Sequence, residues 1–189
     1  MAAQDGVLVL ADVDVGGIRA LLAAHGIELV SVAQGAPIPG TYWGEPEAGV
    51  IGTRVYARAD TPVHSVLHEA CHLMVAPIDR RDSIHTDASD SQSEEDAACY
   101  LQVLLADRLG DVGRMRLMTD MDAWGYSFRL GSARAWFEHD ADDARGWLVQ
   151  RGLMPRDTVS RRGAHGPLQR RPAPPIPMSS GIETARKRV

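Results

Sequence analysis

Val50-Ile51-Gly52-Thr53-Arg54-Val55-Tyr56-Ala57-Arg58-Ala59-Asp60-Thr61-Pro62-Val63-His64-Ser65-Val66-Leu67-His68-Glu69-Ala70-Cys71-His72-Leu73-Met74-Val75-Ala76-Pro77 is the stretch on which the reading of this chain turns. Its first eight residues are rich in β-branched and aromatic side chains, which predicts a strand over 50–57. Thr61 then offers an N-cap hydroxyl, and Pro62 suits the first helical position. A helix over 62–76 follows and stops before Pro77. Val63, Val66, Leu67, Ala70, Leu73 and Met74 form one apolar arc on it, with His68 and His72 expected on the opposite side, facing a cleft. At about 100° per residue, positions i and i+4 differ by about 40°, so the two imidazoles point the same way and can share one metal ion. Glu69 sits about 100° round from His68, beside such a metal rather than on it. That is where a general base for a metal-bound water belongs.

His68-Glu69-Ala70-Cys71-His72 is thus the His-Glu-x-x-His pattern of zinc peptidases. With the chain's own His and Glu content, about 0.01 chance matches are expected. A catalytic zinc needs a third protein ligand and an open fourth position. The longer spacing with a Gly and a third His fails here, because Val75 and Ile78 stand at those places. The candidates are Glu94 and its neighbour Glu95, which open a second long helix predicted over 93–109. Glu94 heads the apolar stripe Ala97, Ala98, Leu101, Leu104, Leu105 and is preferred as the inward-facing residue. Glu95 is the rival, and His85 in the polar 78–93 stretch is a further alternative.

Outward from this core, residues 14–25 read as a helix and 27–32 as a strand. The Gly- and Pro-rich 33–49 segment reads as loop. Further helices are expected near 112–124, 132–138 and 141–151. Trp124, Tyr126, Phe128, Trp136, Phe137 and Trp147 read as core, and Cys71 and Cys99 as buried free thiols. His64 reads as a solvated helix-start residue. Tyr126 and His139 are the available transition-state donors, although nothing in the sequence aims them at a metal.

Composition bounds the rest. The 189 residues are 44% hydrophobic and 24% charged, enough for one folded domain, and two cysteines cannot build a disulfide framework. No apolar run approaches the roughly 20 residues that span a bilayer, and the N-terminus lacks the basic and apolar regions of a signal peptide, so a cytoplasmic location is expected. Residues 151–189 hold nine basic and two acidic residues, a formal +7 against −12 for the first 150. The acidic body argues against nucleic-acid binding apart from weak contacts by the tail. The expected organisation is an α+β domain over 1–152, its folded body spanning roughly 6–152, followed by a Pro/Arg-rich tail over 153–189. From residue 155 the tail reads as disordered. The strand at 50–57 is expected at the sheet edge, beside the cleft, where an extended substrate can pair with it.

Glu94-Glu95-Asp96-Ala97-Ala98-Cys99-Tyr100-Leu101-Gln102-Val103-Leu104-Leu105 resembles the Glu-x-x-Ala-Asn-x-Phe-Ala-x-x-Leu-Leu segment of the ImmA/IrrE-type peptidases, which are gluzincin-type zinc metallopeptidases. Ala98 stands where those proteins carry Asn, Leu101 where they carry Ala, and Asp107 where they carry Pro. The likeness covers roughly residues 40–110. It implies a zincin-like core with an edge strand beside the His-Glu-x-x-His helix and a second ligand-bearing helix. It further implies zinc held by His68, His72 and Glu94, Glu69 as the base, and a peptide or protein as substrate. The reading from another class is a non-catalytic metal-binding or regulatory protein. Glu69 discriminates, because a structural site has no use for it.

Overall fold

A computed structural model describes residues 6–156. Among them are seven α-helices and one three-stranded sheet, a mixed α+β fold. A 3-10 turn at Leu10–Asp12 leads into α1 (Val15–Ala23), whose first turn is capped by the Asp14 carboxylate accepting from Gly16 N–H. β1 (Glu28–Ser31), β2 (Gly49–Ile51) and β3 (Arg54–Ala57) follow, then α2 (Val63–Val75) and α3 (Ile78–Arg81). The chain continues through α4 (Gln92–Ala106), α5 (Gly113–Trp124), α6 (Ala133–His139) and α7 (Asp142–Gln150). Residues 157–189, most of the expected tail, lie outside the described residues, as do residues 1–5. No helix among the described residues is long and apolar enough to cross a membrane.

The expected single strand at 50–57 is a tight hairpin. Gly52 adopts φ +57°, a left-handed conformation that favours glycine, and turns the chain between β2 and β3. β3 is central rather than an edge: it pairs parallel with β1 and antiparallel with β2. β2 is the outer strand, but its far side is already used. Val50 N–H donates to the Gly40 carbonyl at 3.2 Å, and the Val50 carbonyl accepts from Thr86 N–H at 3.0 Å. An extended ligand therefore cannot pair directly with Val50, which corrects the expectation of a free edge at 50–57. The segments around Gly40 and Thr86 cover it instead.

α2 packs against β2, β3, α4 and α5 and is buried almost all round. Val66, Leu67, Ala70, Cys71 and Leu73 are fully enclosed. Burying each large side chain of this set contributes on the order of 1.5–3 kcal/mol. The two-faced helix expected from the sequence is thus a central one, on which His68 and Glu69 alone are not fully buried. Its cap also differs. Pro62 occupies the N-cap position without a side-chain cap, and the Thr61 hydroxyl accepts from Arg58 N–H at 2.9 Å instead. The polar 78–93 stretch contains the one-turn helix α3, entered through Pro77. α4 is capped by Ser91, whose hydroxyl accepts from Glu94 N–H.

Of the aromatic residues expected in the core, Trp136 is buried, while Tyr126, Phe128, Phe137 and Trp147 are partly buried against it. Trp124 lies at the surface, its indole N–H donating to Glu47 at 2.6 Å. Cys71 and Cys99 are both free and buried.

Candidate metal centre

The α-helical period of α2 puts His68 and His72 side by side. Their Nε2 atoms are 3.0 Å apart and their ring centroids 4.4 Å apart. α4 packs against α2 and supplies the third group, Glu95. Its Oε1 lies 3.1 Å from His68 Nε2 and its Oε2 3.5 Å from His72 Nε2. One donor atom from each of the three residues falls within 4.8 Å of the other two.

Glu94, the acid preferred from the sequence, is not brought to this cluster. It is buried, and its Oε2 accepts from Arg80 Nη2 at 2.8 Å and from Asp90 N–H at 3.0 Å. The reason is rotational. One residue is about 100° of helix, and the inward face of α4's first turn meets Arg80 of α3, not the imidazoles of α2. The apolar stripe correctly marked Glu94 as inward-facing, but inward at that turn is toward Arg80. His85 is also apart. It is exposed, pairs with Thr86 Oγ1 through Nδ1 at 2.8 Å, and is absent from the cluster. His139 lies at the exposed end of α6 next to Glu138. Tyr126 stands edge-on to His68 with centroids 5.9 Å apart.

His64 is not solvated. It is 1% exposed, packed between Trp124 and Tyr126, and neither ring nitrogen has a hydrogen-bond partner among the described residues. Burial, helped by the nearby His68, pushes its imidazole down to about 3.

The electrostatics suit a cation. Burial and the neighbouring His68 push the His72 imidazole down to about 3, so it stays neutral with a lone pair to offer. Burial opposes charge on His68, but Tyr126, Cys99 and Glu95 facing it raise it well above the usual imidazole value. Burial likewise works against ionising Glu95. The hydrogen bond from His68 and the two imidazoles outweigh it and hold the carboxyl at about 2. A divalent metal bound here would take the place of the proton between these groups, as ligation of imidazole does generally. Two imidazoles and a carboxylate are a zinc donor set. His68 Nδ1 faces Cys99 Sγ at 4.0 Å, a contact that holds the ring's orientation.

Glu69 lines the same cleft as the three donors. Burial raises its carboxyl to about 7 against the pull of His68, with Glu95, Glu47 and Asp87 adding to the rise. The cleft has a volume of about 230 Å³ and is completed by Tyr42 and Trp43 of the 33–49 loop and by residues 86–89. Neither rim was singled out from the sequence. The only signal was a pair of adjacent aromatics in a segment otherwise of turn residues. Thr86, at φ +68°, is the sole non-glycine residue in the left-handed region among the described residues, a strained conformation at the edge of the site.

No protein-family model matches the chain, no curated protein is similar to it, and no solved structure matches it. The site's own chemistry carries the functional argument.

Proposed function

We propose that this protein is a zinc-dependent peptidase with a zincin-like core, similar to the ImmA/IrrE-type peptidases in its pair of ligand-bearing helices. The observation that carries the reading is the convergence of His68, His72 and Glu95 in a cleft that Glu69 also lines. His68, His72 and Glu95 are the residues that would hold the metal. When bound, zinc supplies Lewis acidity, lowering the pKa of water and polarising a carbonyl.

Glu69 acts as general base: it accepts a proton from the attacking water and delivers it to the departing amine nitrogen. The water oxygen first adds to the carbonyl carbon, and the C–N bond then breaks as the nitrogen takes the proton from Glu69, giving a carboxylic acid and an amine. Burial and the neighbouring His68 keep His72 neutral, and the two imidazoles keep Glu95 ionised against its burial, the forms in which each can ligate. Three protein donors leave the position that a hydrolase needs open, whereas structural zinc is closed by four protein ligands and has no use for Glu69.

The test is metal content measured alongside hydrolysis of a quenched-fluorescence peptide library by the wild type and Glu69→Gln. One zinc per chain, with cleavage lost in the variant, supports the reading. Zinc without any cleavage by the wild type leaves the non-catalytic metal-binding alternative in its place.

A further inference from the structure

The rim of the cleft bears on the class of peptide it takes, an inference that rests on the peptidase reading. Tyr42 and Trp43, which line the open cleft, are 56% and 70% exposed. Their rings meet edge to face at 4.9 Å, leaving aromatic surface open. The loop that carries them is anchored. Arg58, almost fully buried, donates to the Ala36 carbonyl at 2.9 Å and pairs with Glu45 and Asp60. Thr41 Oγ1 accepts from Gly44 N–H and donates to its carbonyl, closing the turn around the two aromatics. The pair is therefore presented by a fixed loop rather than left over from an unpacked one.

The charge of the cleft is one-sided. Glu69, Asp87 and Glu95 line it, and no Lys or Arg does so among the described residues. Glu69 and Glu95 belong to the machinery already described. Asp87 does not: it is exposed, and among the described residues its carboxylate accepts only the Ser89 N–H, at 3.4 Å. Arg80, on the neighbouring α3, is committed to Glu94 and Asp90. Apart from the two aromatics, Ala88 is the one apolar residue in the lining among the described residues, which offer no aliphatic pocket for a leucine-like side chain. An aromatic face and an uncommitted carboxylate lining one cleft make a place for an alkyl stem that ends in a cation.

We propose that the substrate is a basic peptide, in which an arginine or lysine near the scissile bond lies along Trp43 and is held by Asp87. The acidic body, −12 over the first 150 residues, steers such a peptide toward the cleft. At the rim an acidic peptide meets the Asp87 carboxylate, with no Lys or Arg among the described lining residues to receive it.

The test uses full-length, zinc-loaded Glu69→Gln protein and one fluorescent peptide carrying Arg, Lys, citrulline, Leu or Glu at a single position. By anisotropy, the Arg and Lys peptides are expected to bind about tenfold more tightly than citrulline or Leu, with Glu weakest. Raising salt from about 50 mM to about 500 mM should shrink that preference, because charge carries part of it. Asp87→Asn and Trp43→Ala, both at exposed positions, should each reduce it about fivefold. Equal binding of the citrulline or Leu peptide overturns the inference. So does a preference that survives both substitutions, or no binding by any peptide. Cleavage by the wild type is read separately. Selective binding without cleavage leaves the basic-ligand inference standing and removes the peptidase reading. Cleavage of the Leu and Arg peptides at equal rates does the reverse.

Discussion

The Glu95 carboxylate approaches His68 Nε2 to 3.1 Å, although the two residues belong to different helices. Glu94, one position earlier, is turned away onto Arg80. The two acids therefore answer differently to replacement. Glu95→Ala removes a ligand and should weaken zinc binding by more than about 100-fold, beyond the loss usual for a supporting residue. Glu94→Ala should weaken it about tenfold at most, through the position of α4. It should also cost about 2 kcal/mol of stability, because Arg80 loses a buried partner. Competition with a chromophoric chelator and denaturant titration separate the two effects. A Glu94 variant that loses the metal while the Glu95 variant keeps it overturns the assignment.

Glu69→Gln preserves shape and metal but cannot take a proton. Zinc affinity should stay within about twofold while kcat falls by about 10²- to 10⁴-fold, the usual contribution of a general base. His68→Ala and His72→Ala should abolish tight binding. Full zinc occupancy in His72→Ala, measured on dialysed protein, would remove the metallopeptidase reading.

His64 makes the fold sensitive to acid. Its folded value is about 3 against an ordinary 6.5. Between those two values the unfolded chain binds a proton that the folded chain refuses, so stability falls as pH drops below about 6.5. The slope is about 1.4 kcal/mol per pH unit, or about 3 kcal/mol by pH 4. His64→Leu removes this penalty and also two unpartnered buried nitrogens. The variant should match or exceed the wild type at pH 7 and gain on it by that amount at pH 4. Denaturant midpoints at both pH values test this. A stability difference that does not change with pH means that His64 charges inside the fold.

Gly49 ties the aromatic rim to the sheet. A Cβ there would stand 2.1 Å from the Pro39 carbonyl oxygen and 2.4 Å from Thr41 N, both backbone atoms with little room to give. Gly49→Ala should cost about 2–3 kcal/mol and push the 39–43 segment off β2. Zinc affinity should hold, since the metal donors lie on α2 and α4. Thermal unfolding, together with peptide binding by the zinc-loaded variant, should show a lower Tm and a reduced preference for basic peptides. An unchanged Tm would mean that the loop yields freely.

The His68–Glu69–His72 arrangement was legible because it is local. Once Pro62 and Pro77 bracket a helix, the 3.6-residue period alone sets two imidazoles together, with no help from the rest of the chain. The mixed α+β character and most helix positions were legible for the same reason, since periodicity and stop signals act within a few residues. The turn at Gly52 left a visible mark that a β-rich run obscured. The place of β3 at the sheet centre left none, because it depends on a parallel pairing with β1 across the 33–49 loop. The choice of Glu95 over Glu94 was likewise decided by tertiary structure. Both acids open the same helix, and the rotation of α4 is fixed by the contacts of Glu94 with Arg80 and Asp90. The burial of His64 waits on Trp124 and Tyr126, some sixty residues later. Angles along one helix are set by covalent geometry, which the sequence specifies directly. Which side chain of that helix meets a given group on another is set by packing between segments distant in the chain, and that becomes definite only when the whole core closes.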